Sequence, residues 1–223
     1  MTALERAAAL GYIPVHVYLL PKLLAAIPAV RALDTATINV IYYTVGAAFM
    51  LLFLWRFLRR EFDALCDYGP AALLEIAKAY GTLLLCNLVI NLALLAIEKN
   101  NNPNTAAIFS MAGENIRRTA AVAVFLAPLV EESMFRGGVF GLLRRYNRVA
   151  AYAASMLLFA VYHVWSFAAG DATVWLYLPQ YLPAGFLLAR VYEKTNSIWT
   201  GIFLHMTVNG VSMLIVSSLG AYL

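Results

Sequence analysis

Apolar residues run along the chain in long blocks, interrupted by short clusters of charge, proline, asparagine and glycine. A helix needs about 20 apolar residues to cross a ~30 Å hydrocarbon layer. Six blocks meet that length, at residues 38–58, 79–97, 119–142, 149–168, 172–191 and 197–220. The opening segment, "MTALERAAALGYIPVHVYLLPKLLAAIPAV", is less regular, because Pro14, Pro21 and Lys22 interrupt it. It has no compact apolar core followed by a small-x-small cleavage site, so residues 8–30 read as a retained first span and, counted first, make seven blocks in all. The pattern predicts an all-α, polytopic bundle of about seven transmembrane helices. The polar stretch "EKNNNPNT" at 98–105 is expected to be a turn-rich external loop. No tandem repeat, low-complexity tract or Gly/Ser linker divides the chain, so residues 1–223 are expected to form a single integral-membrane domain.

Composition agrees with this pattern. The 223 residues are 63% hydrophobic and only 13% charged, with a mean hydropathy of +0.75. Soluble domains carry about 25% charged residues. The net charge of +4 comes from Lys and Arg at the ends of the apolar blocks. Arg56, Arg59, Arg60 and Lys78 follow the second block, Arg144, Arg145 and Arg148 the fourth, and Arg190 and Lys194 the sixth. The other side holds Arg31, Lys99, Arg117 and Arg118. The positive-inside rule makes the first set cytoplasmic, with the N-terminus in and the C-terminus out. Arg117 and Arg118 count against that orientation. Trp55, Trp165, Trp175 and Trp199 fall near block ends, at headgroup level. The Ala-rich, Arg-over-Lys composition points to a high-GC bacterium, hence to a cytoplasmic (inner) membrane. No basic stripe interleaves with surface aromatics, which argues against a nucleic-acid partner. Cys66 and Cys86 show neither metal nor disulfide-framework spacing.

Against this background, polar groups inside the blocks need a partner or a task, since a charge at the bilayer centre costs at least ~2.5–3.5 kcal/mol. The fourth block contains "APLVEESMFRGG". Glu131 lies about 12 residues in, roughly 18 Å deep. Glu132 and Arg136 are four apart and share a helix face, so they can pair. Glu131 points about 100° away and has no partner within the motif. Together they can be a structural polar cluster, but an uncompensated buried carboxylate is also what general acid–base chemistry uses. The fifth block carries "FAVYH", Phe159 to His163, and the seventh carries "HMTVN", with His205 and Asn209 on one face. Taken singly, each is also explained as helix–helix hydrogen bonding, worth ~0.6 kcal/mol on average. Taken together, Glu, two His and Asn can build a water-activating base and an oxyanion clamp. His16 matches no pattern and is given no role. Asn87 and Asn91 share a face in the third block, as packing residues or as lining of a groove.

In this order and spacing, Glu131-Glu132-x-x-x-Arg136, Phe159-x-x-x-His163 and His205-x-x-x-Asn209 resemble the CPBP (or ABI) family. These are the CAAX prenyl endopeptidase and bacteriocin-processing intramembrane proteases. The resemblance covers residues 119–215; residues 1–118 contribute only hydropathy. It implies a conical, water-filled cavity among the late spans and glutamate-type hydrolysis of a membrane-associated protein or peptide. Glu131 with His163 would polarise a water, and His205 and Asn209 would hydrogen-bond the oxyanion. Glu132 and Arg136 would brace the site and contact substrate, while Phe159 would set helix spacing. Gly137 and Gly138 allow close helix approach. No cofactor is implied.

Three other readings compete. Glu131, His163 and His205 can be drawn as zinc ligands with one open position, although the HExxH arrangement is absent. The same fold can serve a non-enzymatic immunity or scaffold protein, which a complete constellation argues against. A proton-coupled transporter would use the buried charges but predicts an inverted repeat, and none is visible in the sequence.

Overall fold

Thr2 and Glu5 open the first helix with a reciprocal cap. The Thr2 hydroxyl accepts from the Glu5 N–H, and the Glu5 carboxylate accepts from the Thr2 N–H. The helix that follows, α1 (Ala3–Ala26), is continuous in this computed structural model, which describes residues 1–99 and 101–220. Its middle turn, Val15–Leu19, is π-helical, and Leu20 N–H bonds five residues back to Val15 O. In that register His16 O would be paired with Pro21, which has no N–H. The Tyr42 hydroxyl donates to this freed carbonyl instead, at 2.8 Å.

Asp34 caps α2 (Thr35–Tyr68), and Gly69, in the left-handed region at φ +62°, ends it. At 34 residues, α2 is about 51 Å long and outruns the hydrocarbon core. Arg56, Arg59 and Arg60 therefore ride on its last turns rather than in the connecting loop expected from the sequence. The next helix, α3 (Ala71–Ala96), is peripheral and turns Leu84, Leu85, Leu88, Val89 and Leu92 outward.

The polar stretch expected to be all loop instead starts a helix, α4 (Pro103–Ala120). Asn102 caps the Asn104 and Thr105 N–H groups, with Pro103 at the first helical position. Within α4, Asn115 is extended (φ −160°, ψ 96°), and its Oδ1 caps Arg118 N–H at 3.0 Å. The chain then continues helically through a π segment (Ala121–Leu126), α5 (Ala127–Glu132), a second π segment (Ser133–Phe140) and a last turn (Gly141–Leu143). After these come α6 (Arg148–Ala168), a 3-10 stretch (Ala172–Gln180), α7 (Leu182–Thr195) and α8 (Ile198–Gly220).

The protein is thus an all-α membrane bundle with no strand among the described residues. Five helices, α1, α2, α3, α6 and α8, are long and apolar enough to span a membrane. The expected count of seven is not confirmed. Residues 119–142 are helical throughout but alternate between α and π registers. The expected span 172–191 is divided at Tyr181, and α7 alone is about 21 Å long.

The segment around α5 is the core of the bundle, buried at every residue from Val130 to Gly141. Helix α1 lies against its second half; a Cβ on Gly138 would stand 3.3 Å from the Leu10 side chain and 3.4 Å from Ala9 Cβ. Helices α2, α6, α7 and α8 close around the rest.

Candidate active site

Glu131 and Glu132 are neighbours on α5, about 100° apart around the helix, and they meet different surroundings. Glu132 faces the protein. Its Oε1 accepts from Arg136 Nη1 at 3.1 Å, and both side chains are fully buried. His205 Nδ1, from α8, stands 2.9 Å from the same oxygen. Arg136 also donates through Nη2 to Gly185 O at 3.1 Å. That carbonyl is within reach because α7 lies backbone to backbone on α6: a Cβ on Gly185 would be 3.0 Å from Met156 Cα. The guanidinium Cζ sits 4.4 Å over the Phe159 ring, a cation–π contact.

Glu131 faces the cavity. Its Oε1 accepts from the Tyr43 hydroxyl of α2 at 3.0 Å. Its Oε2 is 3.9 Å from His163 Nε2 and 3.9 Å from His205 Nε2. Those gaps exceed a hydrogen bond and match the reach of one bridging water. His163 is held from behind: Nδ1 lies 2.8 Å from Phe159 O. A carbonyl can only accept, so Nδ1 carries the hydrogen, and Nε2 of the neutral ring presents a lone pair. The His163 ring also stacks on Tyr181, with centroids 4.6 Å apart. Asn102 and Asn104 in turn donate to the Tyr181 hydroxyl at 2.9 and 3.2 Å.

Asn209 lies one turn beyond His205 and donates through Nδ2 to Ala123 O at 2.7 Å. Ala123 is in the first π segment, where Ala127 N–H bonds five residues back to Val122 O. In that register the partner of Ala123 O would be Pro128, which has no N–H. The amide thus caps a carbonyl freed by a proline, as Tyr42 does at His16. One amide hydrogen remains for another acceptor.

A cavity of about 840 Å³ is lined by Glu131, His163, His205 and Asn209, and extends past Asn87 and Asn91. Gln180 Nε2 donates to Asn91 Oδ1 at 2.7 Å. The structure therefore brings Glu131, His163 and His205 together. Glu132, Arg136 and Phe159 pack beneath them, and Asn209 is on the cavity wall. Sequence reasoning missed Tyr43, Tyr162, Tyr181 and His16. The available signal was the Tyr42-Tyr43 pair in an apolar block and Tyr162 beside His163, since a buried phenol usually finds a partner.

Among the described residues, no three His, Cys, Asp or Glu side chains are grouped as metal ligands. Zinc binds N and O at ~2.0–2.2 Å. In the three residues considered for zinc, Glu131 Oε2 stands 3.9 Å from each Nε2, close to the spacing of two ligands on one such ion, while Glu131 Oε1 is engaged by Tyr43 and His205 Nδ1 by Glu132.

No curated protein and no solved structure gives a significant match to this chain. One family model does match, over residues 114–211, described as Rce1-like: type II CAAX prenyl endopeptidase Rce1-like. That stretch holds all three motifs and the helices that carry them. Over residues 114–211, less than half of its length, the chain is thus similar to the Rce1-like CAAX proteases that its motifs resemble.

Proposed function

We propose that the protein is an intramembrane endopeptidase in which Glu131 and His163 activate a water against a peptide bond of a membrane-associated protein or peptide. The observation that supports it is the placement of Glu131. One oxygen is fixed by Tyr43, and the other faces two imidazole Nε2 atoms at 3.9 Å on the cavity wall.

A water between Glu131 Oε2 and His163 Nε2 can donate one hydrogen to each, which turns its oxygen lone pair outward. Attack on the scissile carbonyl passes one proton to this pair and places negative charge on the carbonyl oxygen. Asn209 offers its remaining amide hydrogen to that oxyanion. His205 offers Nε2–H; with Nδ1 hydrogen-bonded to Glu132, this needs the doubly protonated ring, and Glu131 and Glu132 together then balance His205 and Arg136. Collapse breaks the C–N bond, the stored proton goes to the leaving amine, and the products are a carboxylic acid and an amine; the acid's proton passes to the amine or to solvent, which leaves a carboxylate and an ammonium. No step passes through a metal. The chain works as one domain in a cytoplasmic (inner) membrane, N-terminus in. The contact of Arg145 with Met1 O puts the N-terminus at the basic end of the bundle.

The test is cleavage of internally quenched, membrane-partitioned peptides by the full chain in proteoliposomes, with a farnesylated CAAX peptide among them. Glu131→Gln keeps the volume and loses the base, and should abolish cleavage with folded yield unchanged. Retention of more than a few per cent of the rate would remove Glu131 from this role.

A further inference from the structure

His16 is fully buried in the π turn of α1, far in sequence from the three motifs. Its backbone is held by the Tyr42 hydroxyl, and its ring stacks on Tyr42, with centroids 4.3 Å apart. Its Nε2 lies 3.3 Å from the Tyr162 hydroxyl, which lies 3.0 Å from the Tyr43 hydroxyl, which donates to Glu131 Oε1. Counting protons fixes the direction of this chain. A tyrosine has one O–H. That of Tyr43 is given to Glu131, so between the two tyrosines Tyr162 is the donor. The hydrogen of Tyr162 is then spent as well, and His16 must donate to it through Nε2–H. Nδ1 is left bare, and it is a buried atom with no hydrogen-bond partner. Every link therefore points toward the carboxylate, and hydrogen bonds aligned in series polarise one another.

We propose that His16 is a positioning residue of the site, which through Tyr162 and Tyr43 orients Glu131 so that Oε2 faces the two imidazoles. This rests on Glu131 being the base. It gives the amino-terminal helix a part in the chemistry that packing alone would not. A histidine serving only to fill space would act independently of Tyr43, whereas a link in a series cannot act once the series is cut.

The experiment is a double-mutant cycle on the full chain in proteoliposomes, with cleavage of an internally quenched farnesylated CAAX peptide as readout. Tyr43→Phe removes a hydrogen bond to a charged group and should lower kcat roughly tenfold, with KM little changed. His16→Phe should lower kcat several-fold. The double variant should be no slower than Tyr43→Phe alone, and His16→Gln, which keeps an N–H donor, should recover most of the rate. Losses that multiply in the double variant, or a His16→Phe enzyme at the wild-type rate, would overturn the proposal. If His16→Phe does not fold, Tyr162→Phe cuts the same series with little change of volume and takes its place in the cycle. If the wild-type protein leaves the peptide uncleaved, it is the proposed activity that has failed. The chain is then read without substrate, by mass spectrometry of the rate at which dicyclohexylcarbodiimide labels Glu131. A changed rate in each single variant, with no further change in the double, supports the series; unchanged or multiplying rates overturn it.

Discussion

His205 reaches across from α8 to place Nδ1 2.9 Å from Glu132 Oε1, the oxygen that also receives Arg136. Two adjacent carboxylates are thereby divided. Glu132 is committed to a buried cation and an imidazole, while Glu131 keeps one oxygen toward the cavity. This division explains why a membrane helix carries both.

The buried pair should dominate stability. Arg136→Ala strands Glu132 without its cation, and breaking such a pair costs about 3–5 kcal/mol. Folded yield and the melting temperature in detergent should both fall, along with activity. A fully stable Arg136→Ala protein would mean that water reaches the pair.

Two glycines should separate folding from chemistry. At Gly185 an added Cβ meets Met156 backbone at 3.0 and 3.1 Å, which cannot yield cheaply. Gly185→Ala should destabilise by about 1–3 kcal/mol and move the carbonyl that Arg136 uses. At Gly201 the added Cβ meets Glu132 Oε2 at 3.3 Å, a side-chain atom that can shift by tenths of an ångström. Gly201→Ala should fold nearly normally yet lose roughly tenfold in kcat, because small displacements at a site are costly. Thermal melts beside cleavage rates distinguish the two.

Asn209 caps Ala123 O and, in the proposed mechanism, also serves the oxyanion. Asn209→Ala should lower kcat by roughly 10²–10³, the loss for one oxyanion donor, with KM little altered. It should also destabilise by about 1–3 kcal/mol, because Ala123 O is left unpaired. Pro128→Ala supplies an N–H five residues on from that carbonyl. Adding it to Asn209→Ala should restore melting temperature but not kcat. Recovery of both would show that the amide serves only as a cap.

The grouping of the candidate site's residues was more legible in the sequence than the path of the chain. Its residues are ionisable groups in apolar blocks, where the cost of burial makes each one conspicuous. The spacing of Glu132 and Arg136 sufficed to pair them. What stayed hidden depends on contacts between distant segments. Tyr43 and Tyr162 look like ordinary membrane tyrosines until α2 and α6 meet, and His16 belongs to no local motif. Hydropathy does not sense register, and of the seven spans it predicted, five are single long apolar helices. Residues 172–191 are apolar enough to cross, yet they break at Tyr181, whose hydroxyl is tied to Asn102 and Asn104. The start of α4 was readable in Asn102-Pro103, a cap followed by a first-turn proline, but the surrounding asparagines made it look like loop.

In the proposed mechanism Glu131 and the two histidines act on water without a metal. That is tested most directly by measuring metal content and cleavage rate on one purified sample, before and after prolonged chelation. The expected result is no stoichiometric metal before treatment and the same rate after it. About one zinc per chain, with activity lost on its removal and regained on its return, would contradict the account.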